Sequence, residues 1–236
     1  MVYVMILIIA AGVGFIYAYW RKLMKEARDF ENSVNEYTEN RLASLKNRIS
    51  QYITPPSVAI IQIGKDAEDT EYCENYLRRA REVGLVPHWY GFEETLADWE
   101  ILQEIKDLCN HYNGIVVKVS KASPVSGVQA HAAIPGDKNI MSLARAAGIM
   151  NFVEDVEKNE PNIKIFSNNK GLAQALSSFA FGKYDSFQIQ IKPAEEYVKG
   201  EKGFTPDMVE LLGFIESVEN TLRAKDSWNE CGSVSN

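Results

Sequence analysis

The chain has 236 residues, and 25 Lys+Arg against 32 Asp+Glu give a formal net charge of −7. Hydrophobic residues at 46% and charged residues at 24% are ordinary for one large folded domain or two modest ones, and too apolar for a disordered chain. The acidic balance speaks against nucleic acid as a partner, because phosphate recognition needs a basic face.

The chain opens on one strong local departure from these averages. The run 2–20, from Val2 to Trp20 (VYVMILIIAAGVGFIYAYW), carries no charge. Those roughly 19 positions span ~28 Å as a helix, close to the thickness of a bilayer's hydrocarbon core. Tyr3 at one end and Tyr17, Tyr19 and Trp20 at the other suit the two membrane interfaces, and Arg21 and Lys22 follow at once. The pattern predicts an uncleaved transmembrane anchor over residues 1–20, inserted in the lipid bilayer through Val2–Trp20. The positive-inside rule then places the rest on the cytosolic or matrix side.

Residues 21–52 are highly charged and free of Gly and Pro. Leu23, Ala27, Phe30, Val34, Tyr37, Leu45, Ile49 and Tyr52 form one apolar stripe that is interrupted at Arg41. This reads as an amphipathic stalk helix whose first half contacts a partner. Pro55-Pro56 closes it, and residues 53–225 follow a different grammar. Apolar strands at Ser57–Ile63, 86–90 and Gly114–Val119 alternate with helices at 71–83 and 96–111, which predicts a parallel sheet covered on both faces. A strand at 163–167, a helix at 170–179, an edge strand at 187–191 and a final helix from Thr205-Pro206 to about Lys225 complete the domain, and 226–236 is a polar tail. Sites in such folds lie at the carboxyl ends of the strands.

The cysteines (Cys73, Cys109, Cys231) form neither a disulfide framework nor a C-x-x-C pair. Cys73 and Cys109 read as buried helix thiols. His88, His111 and His131 have no metal-ligand spacing, and neither His111 nor His131 has a nucleophile at a recognisable elbow.

Five segments, in order, resemble the methylenetetrahydrofolate dehydrogenase/cyclohydrolase family: PPSVAIIQIGKDAEDTEYCENYLRRAREVGL (55–85), NGIVVKVSKASP (113–124), IPGDKNIMS (134–142), IKIFSNNKGLAQAL (163–176) and GFTPDMVELLGFIESVENTLRA (203–224). The resemblance implies an α/β, three-layer parallel-sheet domain like that family's catalytic domain. It also implies a site whose positions fall on four residues here. The pocket tyrosine is Tyr72. The proton-handling lysine is Tyr76, with Arg79 one turn further along the same face. The supporting glutamine is Lys118, and the pterin-holding carboxylate is Met141. In the family a complete dinucleotide-binding domain separates the last two segments. Here about 27 residues stand in that interval, fewer than the ~30 of a single βαβ unit, and Gly182, Gly200 and Gly203 are isolated.

Three of four site positions have therefore changed chemical class, and no cofactor or metal is expected. The reading is a pseudoenzyme: a non-catalytic, single-pass accessory subunit bound to other subunits of a membrane complex, with the mitochondrial inner membrane favoured. The alternative is a folate-binding or folate-dependent hydrolytic protein that uses Tyr72 and Lys118 without NADP.

Overall fold

The computed structural model describes residues 2–135, 141–158, 162–180 and 188–233. Among them, seven helices and five strands follow in the order α1 (Val2–Ile49), β1 (Ser57–Ile63), α2 (Ala67–Val83), β2 (Val86–Phe92), α3 (Asp98–His111), β3 (Gly114–Val119), α4 (Gly127–Ala132), α5 (Met141–Asp155), β4 (Asn162–Phe166), α6 (Lys170–Ala180), β5 (Gln188–Lys192) and α7 (Pro206–Ser233).

β1, β2 and β3 form a parallel sheet in the order β2-β1-β3. Side chains alternate across a strand, so β1 serves two cores at once. Val58 and Ile60 face Leu45 and Ile49 of α1, the buried side of α2, and Val218 and Leu222 of α7. Ala59, Ile61 and Ile63 face Ile101 and Ile105 of α3. This is the mixed α/β architecture with a parallel sheet that the alternating pattern implied. Helix α2 starts one turn earlier than its apolar pattern, because Asp66 accepts a hydrogen bond from the Glu68 amide and caps it. It stops at Gly84, whose φ of 98° is left-handed and unfavourable for other residues.

A second core lies beyond the sheet. β4 and β5 pair in parallel, and Ile163 and Ile165 pack with Phe152 of α5, Leu172 of α6 and Phe204. Phe30 of α1 closes this core edge-on against Phe152 and Phe204, with ring centroids 5.8 and 5.1 Å away. The expected edge strand is therefore a parallel partner of β4. Ile189 of β5 packs against this core as well.

The expected anchor and stalk are corrected. Residues 2–49 form one unbroken helix, and among the described residues no helix is long and apolar enough to cross a membrane. The apolar run gives way to charge at Arg21. Beyond it the stripe turns inward: Ala27, Phe30, Val34, Leu45 and Ile49 are buried against this chain's own domain. Arg41, which interrupts the stripe, pairs with Glu219 of α7 at 2.5 Å and sits over the Tyr37 ring. From Ala27 on, the first half of the helix packs on its own domain, and with no spanning helix among the described residues the single-pass, membrane-located assignment built on the anchor falls. The segment expected to be a polar tail begins as helix, since α7 runs on to Ser233.

Candidate functional site

The register of the sheet sets the site. Gln62 of β1 stands beside Lys118 of β3, one residue short of the carboxyl end of each strand. Gln62 is buried, and its side-chain amide donates to Thr70 Oγ1 at 2.8 Å. That bond ties the first turn of α2 to the strand end. The same turn brings Asp69 to Lys118, with Oδ1 3.1 Å from Nζ. Three residues on, and so on the same helix face, the Tyr72 ring lies under Lys118 with Nζ 5.0 Å from its centroid. Arg145 of α5 approaches the same ring, with its guanidinium carbon 5.4 Å from the centroid. Three elements thus converge: α2 supplies Asp69 and Tyr72, β3 supplies Lys118, and α5 supplies Arg145.

The environment is electrically mixed and partly shielded. Burial pushes the Tyr72 hydroxyl up to about 12, while Arg145 pulls it down, so the group is a neutral phenol at physiological pH. Cys73, fully buried beside them, has its thiol pushed up to about 12 by burial against the opposing pull of Lys118. A thiol in that state is no nucleophile. Cys109 is buried as well, in keeping with the reading of both as helix thiols.

The four positions taken from the resemblance separate into two pairs. Tyr72 and Lys118 come together at the site. Tyr76 turns into the core: it is buried, its ring packs edge-on against Phe214 at 5.1 Å, and its hydroxyl shares a 2.6 Å hydrogen bond with Ser217. Burial raises its pKa, so it holds its proton. Met141 is buried in the same apolar cluster. Arg79 lines a separate cleft of about 730 Å³ between α1 and the segment before α7, which Met24, Phe30, Asp207 and Leu211 also border. A further cleft of about 520 Å³ opens at the strand ends, bordered by Lys65, Asp66, Glu94 and Ser120. There Gly64, with φ 93°, leaves room for the Ser120 hydroxyl, which donates to Glu94 at 2.9 Å. Among the described residues no group of three or more His, Cys, Asp or Glu side chains gathers as a metal site.

Two site residues escape the sequence reading. Asp69 precedes the residue at which the apolar pattern of α2 begins, which leaves it in the loop ahead of the helix. Its signal is the three-residue spacing to Tyr72. Arg145 is the single charge within MSLARAAGIM, an otherwise apolar helical stretch, and a lone cation in such a stretch is the signal that could have found it.

A dinucleotide cofactor would need a strand–helix unit and an open phosphate turn. The interval between α6 and α7 holds β5 and one 3-10 turn (Ala194–Glu196), with no further strand–helix unit among the described residues. The strand-to-helix turn ahead of α6 is already closed: Asn169 Oδ1 accepts from the Gly171 and Leu172 amides, the donors that a phosphate would take.

Comparison with known proteins bears on the fold and on the family resemblance. No family model matches the chain. Over 114 residues it is 25% identical to the bifunctional protein FolD of Mycoplasmopsis synoviae, covering 48% of this chain and 41% of that one. The FolD of Staphylococcus epidermidis matches at the same identity, over 40% of its length. The chain therefore matches about two fifths of the length of these curated relatives. By fold, it is similar to the 5,10-methylenetetrahydrofolate dehydrogenase of the silkworm Bombyx mori, with a TM-score of 0.63 at 14% identity, covering 83% of this chain and 97% of that one. The bifunctional dehydrogenase/cyclohydrolase of Thermoplasma acidophilum gives the same values. The resemblance to the folate dehydrogenase/cyclohydrolase family stands. It also corrects the expected role: these relatives are folate enzymes, and nothing in them supports a membrane-anchored accessory subunit in a mitochondrial complex.

Proposed function

We propose that the chain binds a reduced folate at the Tyr72–Lys118 site and does so without NADP. The observation that carries this is the meeting of Tyr72 and Lys118 on adjoining elements, with Nζ 5.0 Å above the ring. An aromatic face and an amine are what a flat, acceptor-bearing ligand needs for stacking and orientation. The folds and names of the relatives supply the ligand class. The short interval between α6 and α7 argues for a protein without dehydrogenase activity.

A second reading is supported by the Lys118–Asp69 pair. Hydrolysis of a methenyl-tetrahydrofolate adds water to the bridging carbon. The carbon–N5 bond opens, one water proton passes to N5 and the other is released. The family's proton-handling amine has no counterpart at Tyr76, but an amine stands on β3 beside the same tyrosine, with a carboxylate 3.1 Å away to receive or return a proton.

Titration of the full chain with tetrahydrofolate by calorimetry tests the first reading. Saturable binding is expected, weakened about 10-fold or more by Lys118→Met. A folded chain that shows no heat with tetrahydrofolate overturns it, and NADP-dependent oxidation of methylene-tetrahydrofolate overturns the cofactor-free part. Turnover of methenyl-tetrahydrofolate that is lost in Lys118→Met selects the hydrolytic reading over binding alone.

A further inference from the structure

The parallel sheet ends on an open edge. In the order β2-β1-β3, β2 (VPHWYGF) is paired on one side only, and among the described residues no backbone hydrogen bond reaches its outer side. The Val86 amide donates to the Pro56 carbonyl, and the Phe92 carbonyl accepts from the Gly64 amide. The alternate residues Val86, His88, Tyr90 and Phe92 therefore turn their backbone groups to β1, and Pro87, Trp89 and Gly91 turn theirs outward. Natural sheet edges are guarded by charge, by proline or by a covering element. This one has Pro87, whose missing amide falls on the outer side, but no Lys, Arg, Asp or Glu from Val86 to Phe92. Large apolar side chains also collect here: Val86 and Trp89 of β2, and Leu96 and Trp99 just after it, are exposed.

The shape of that edge points to its partner. Trp89 and Gly91 lie on the same face of the strand, two residues apart. Trp89 has 38% of its surface exposed, and beside Gly91 the place of a side chain holds no atom within 4 Å beyond the glycine's chain neighbours. In an antiparallel pair centred on Tyr90, each Trp89 stands opposite the Gly91 of the other copy. The two residues exchange both backbone bonds, and the indole covers the bare glycine. Pro87 falls outside those bonded pairs, whereas a shift that set Pro87 against Gly91 would lose the bond from the amide that Pro87 lacks. A two-fold interface must be self-complementary, and this register is. We infer that β2 pairs antiparallel with β2 of a second copy of this chain, centred on Tyr90, and joins two three-stranded sheets into one. The inference is independent of the folate reading. One strand pair with one indole a side is a small contact, under the roughly 1,200 Å² of stable complexes, so the dimer dissociates in the micromolar range.

Analytical ultracentrifugation of the full chain over a concentration series tests this. Expected is a monomer–dimer equilibrium with a dissociation constant on the order of 10 μM. Gly91→Pro deletes an amide that points away from β1, and Trp89→Lys removes the indole and adds a charge. Each weakens the dimer about 10-fold or more, with circular dichroism to show that the variant folds. The register is read by a cross-link. In a Cys231→Ser chain, Tyr90→Cys sets two thiols face to face across the axis with Cα atoms about 4.5 Å apart, within the span of a disulfide. Mild oxidation is expected to give a covalent dimer with Tyr90→Cys and none without it. A chain that stays monomeric at about 100 μM overturns the inference. So does a dimer that both folded β2 variants leave unchanged, because its contact lies elsewhere. A Tyr90→Cys chain that resists cross-linking at concentrations where the native chain is dimeric overturns it as well. The cross-link decides the matter even where Gly91→Pro or Trp89→Lys does not fold.

Discussion

Tyr72 and Tyr76 lie one turn apart on α2 and face the same way, yet they belong to different chemical worlds. Around Tyr76 every polar atom has a partner in the chain: its hydroxyl meets Ser217, Ser217 in turn donates to the Phe214 carbonyl at 2.7 Å, and Phe214 covers the ring. Around Tyr72 the groups are charged and incompletely matched, and Arg145 keeps an unsatisfied donor. A sealed hydrogen-bonded pair serves stability. Unmatched donors around an aromatic ring are what the proposed ligand site is built on. The difference teaches that Tyr76 is sealed into the core by Ser217 and Phe214, while the turn before it keeps charged groups that the chain itself matches incompletely.

The comparison can be broken most forcefully by Tyr76→Ala. Removing a buried aromatic ring and its hydroxyl partner is expected to cost about 3–4 kcal/mol in urea unfolding. A loss under about 1 kcal/mol would mean that the ring is not part of the core at all. The same change at Tyr72 is expected to fall mainly on ligand affinity, with a smaller loss of stability. Next comes Tyr76→Phe, which keeps the ring and deletes one buried hydrogen bond, worth about 1 kcal/mol, whereas Tyr72→Phe leaves stability unchanged within error. Thermal melts of the two variants side by side make the contrast.

A third probe uses pH on the sealed side. Glu216 of α7 is buried; it accepts from Asn151 at 2.9 Å and faces Arg223, Glu219 and Arg41. Burial first, and then the charge of Glu219, hold its pKa above the usual carboxylate value, with Arg223 and Arg41 opposing. A raised folded pKa means that the native state binds this proton more tightly than the unfolded chain. The contribution to stability is therefore fully present below the ordinary carboxylate value of about 4.3 and is lost as pH rises through the folded one. Comparing melting temperatures with pH for the native chain and Glu216→Gln is expected to show that decline only in the native chain. The smallest effect concerns Cys73: at mildly alkaline pH a disulfide reagent should leave it unmodified in the folded protein and modify it on unfolding. Prompt reaction in the native state would show that the Tyr72 region opens further than its burial implies.

Much of this is legible in the sequence, and the exceptions have physical causes. β1 and β3 announce themselves as apolar runs interrupted only near their carboxyl ends, at Gln62 and Lys118, because a strand buried on both faces has little polar side to show. The family resemblance singles out Tyr72 and Lys118 together, and the fold brings them into contact. Arg145 escapes because α5 is apolar on nearly every side, so it offers no amphipathic pattern to mark it as a helix or to place its one charge. The N-terminal run misleads in the opposite sense. Hydropathy registers apolar content but not what it packs against, and the stripe that looks like a partner surface is one wall of the chain's own core.

That wall has a further consequence. Leu45 and Ile49 of α1 belong to the core beneath the parallel sheet, while Phe30 and Val34 belong to the core around β4 and β5. One uninterrupted rod therefore holds a share of both, and neither half is able to come apart without fraying the helix that the other depends on. The molecule is therefore expected to melt as a single cooperative unit, with the slowest-exchanging amides of α1 reporting the opening of both halves at once.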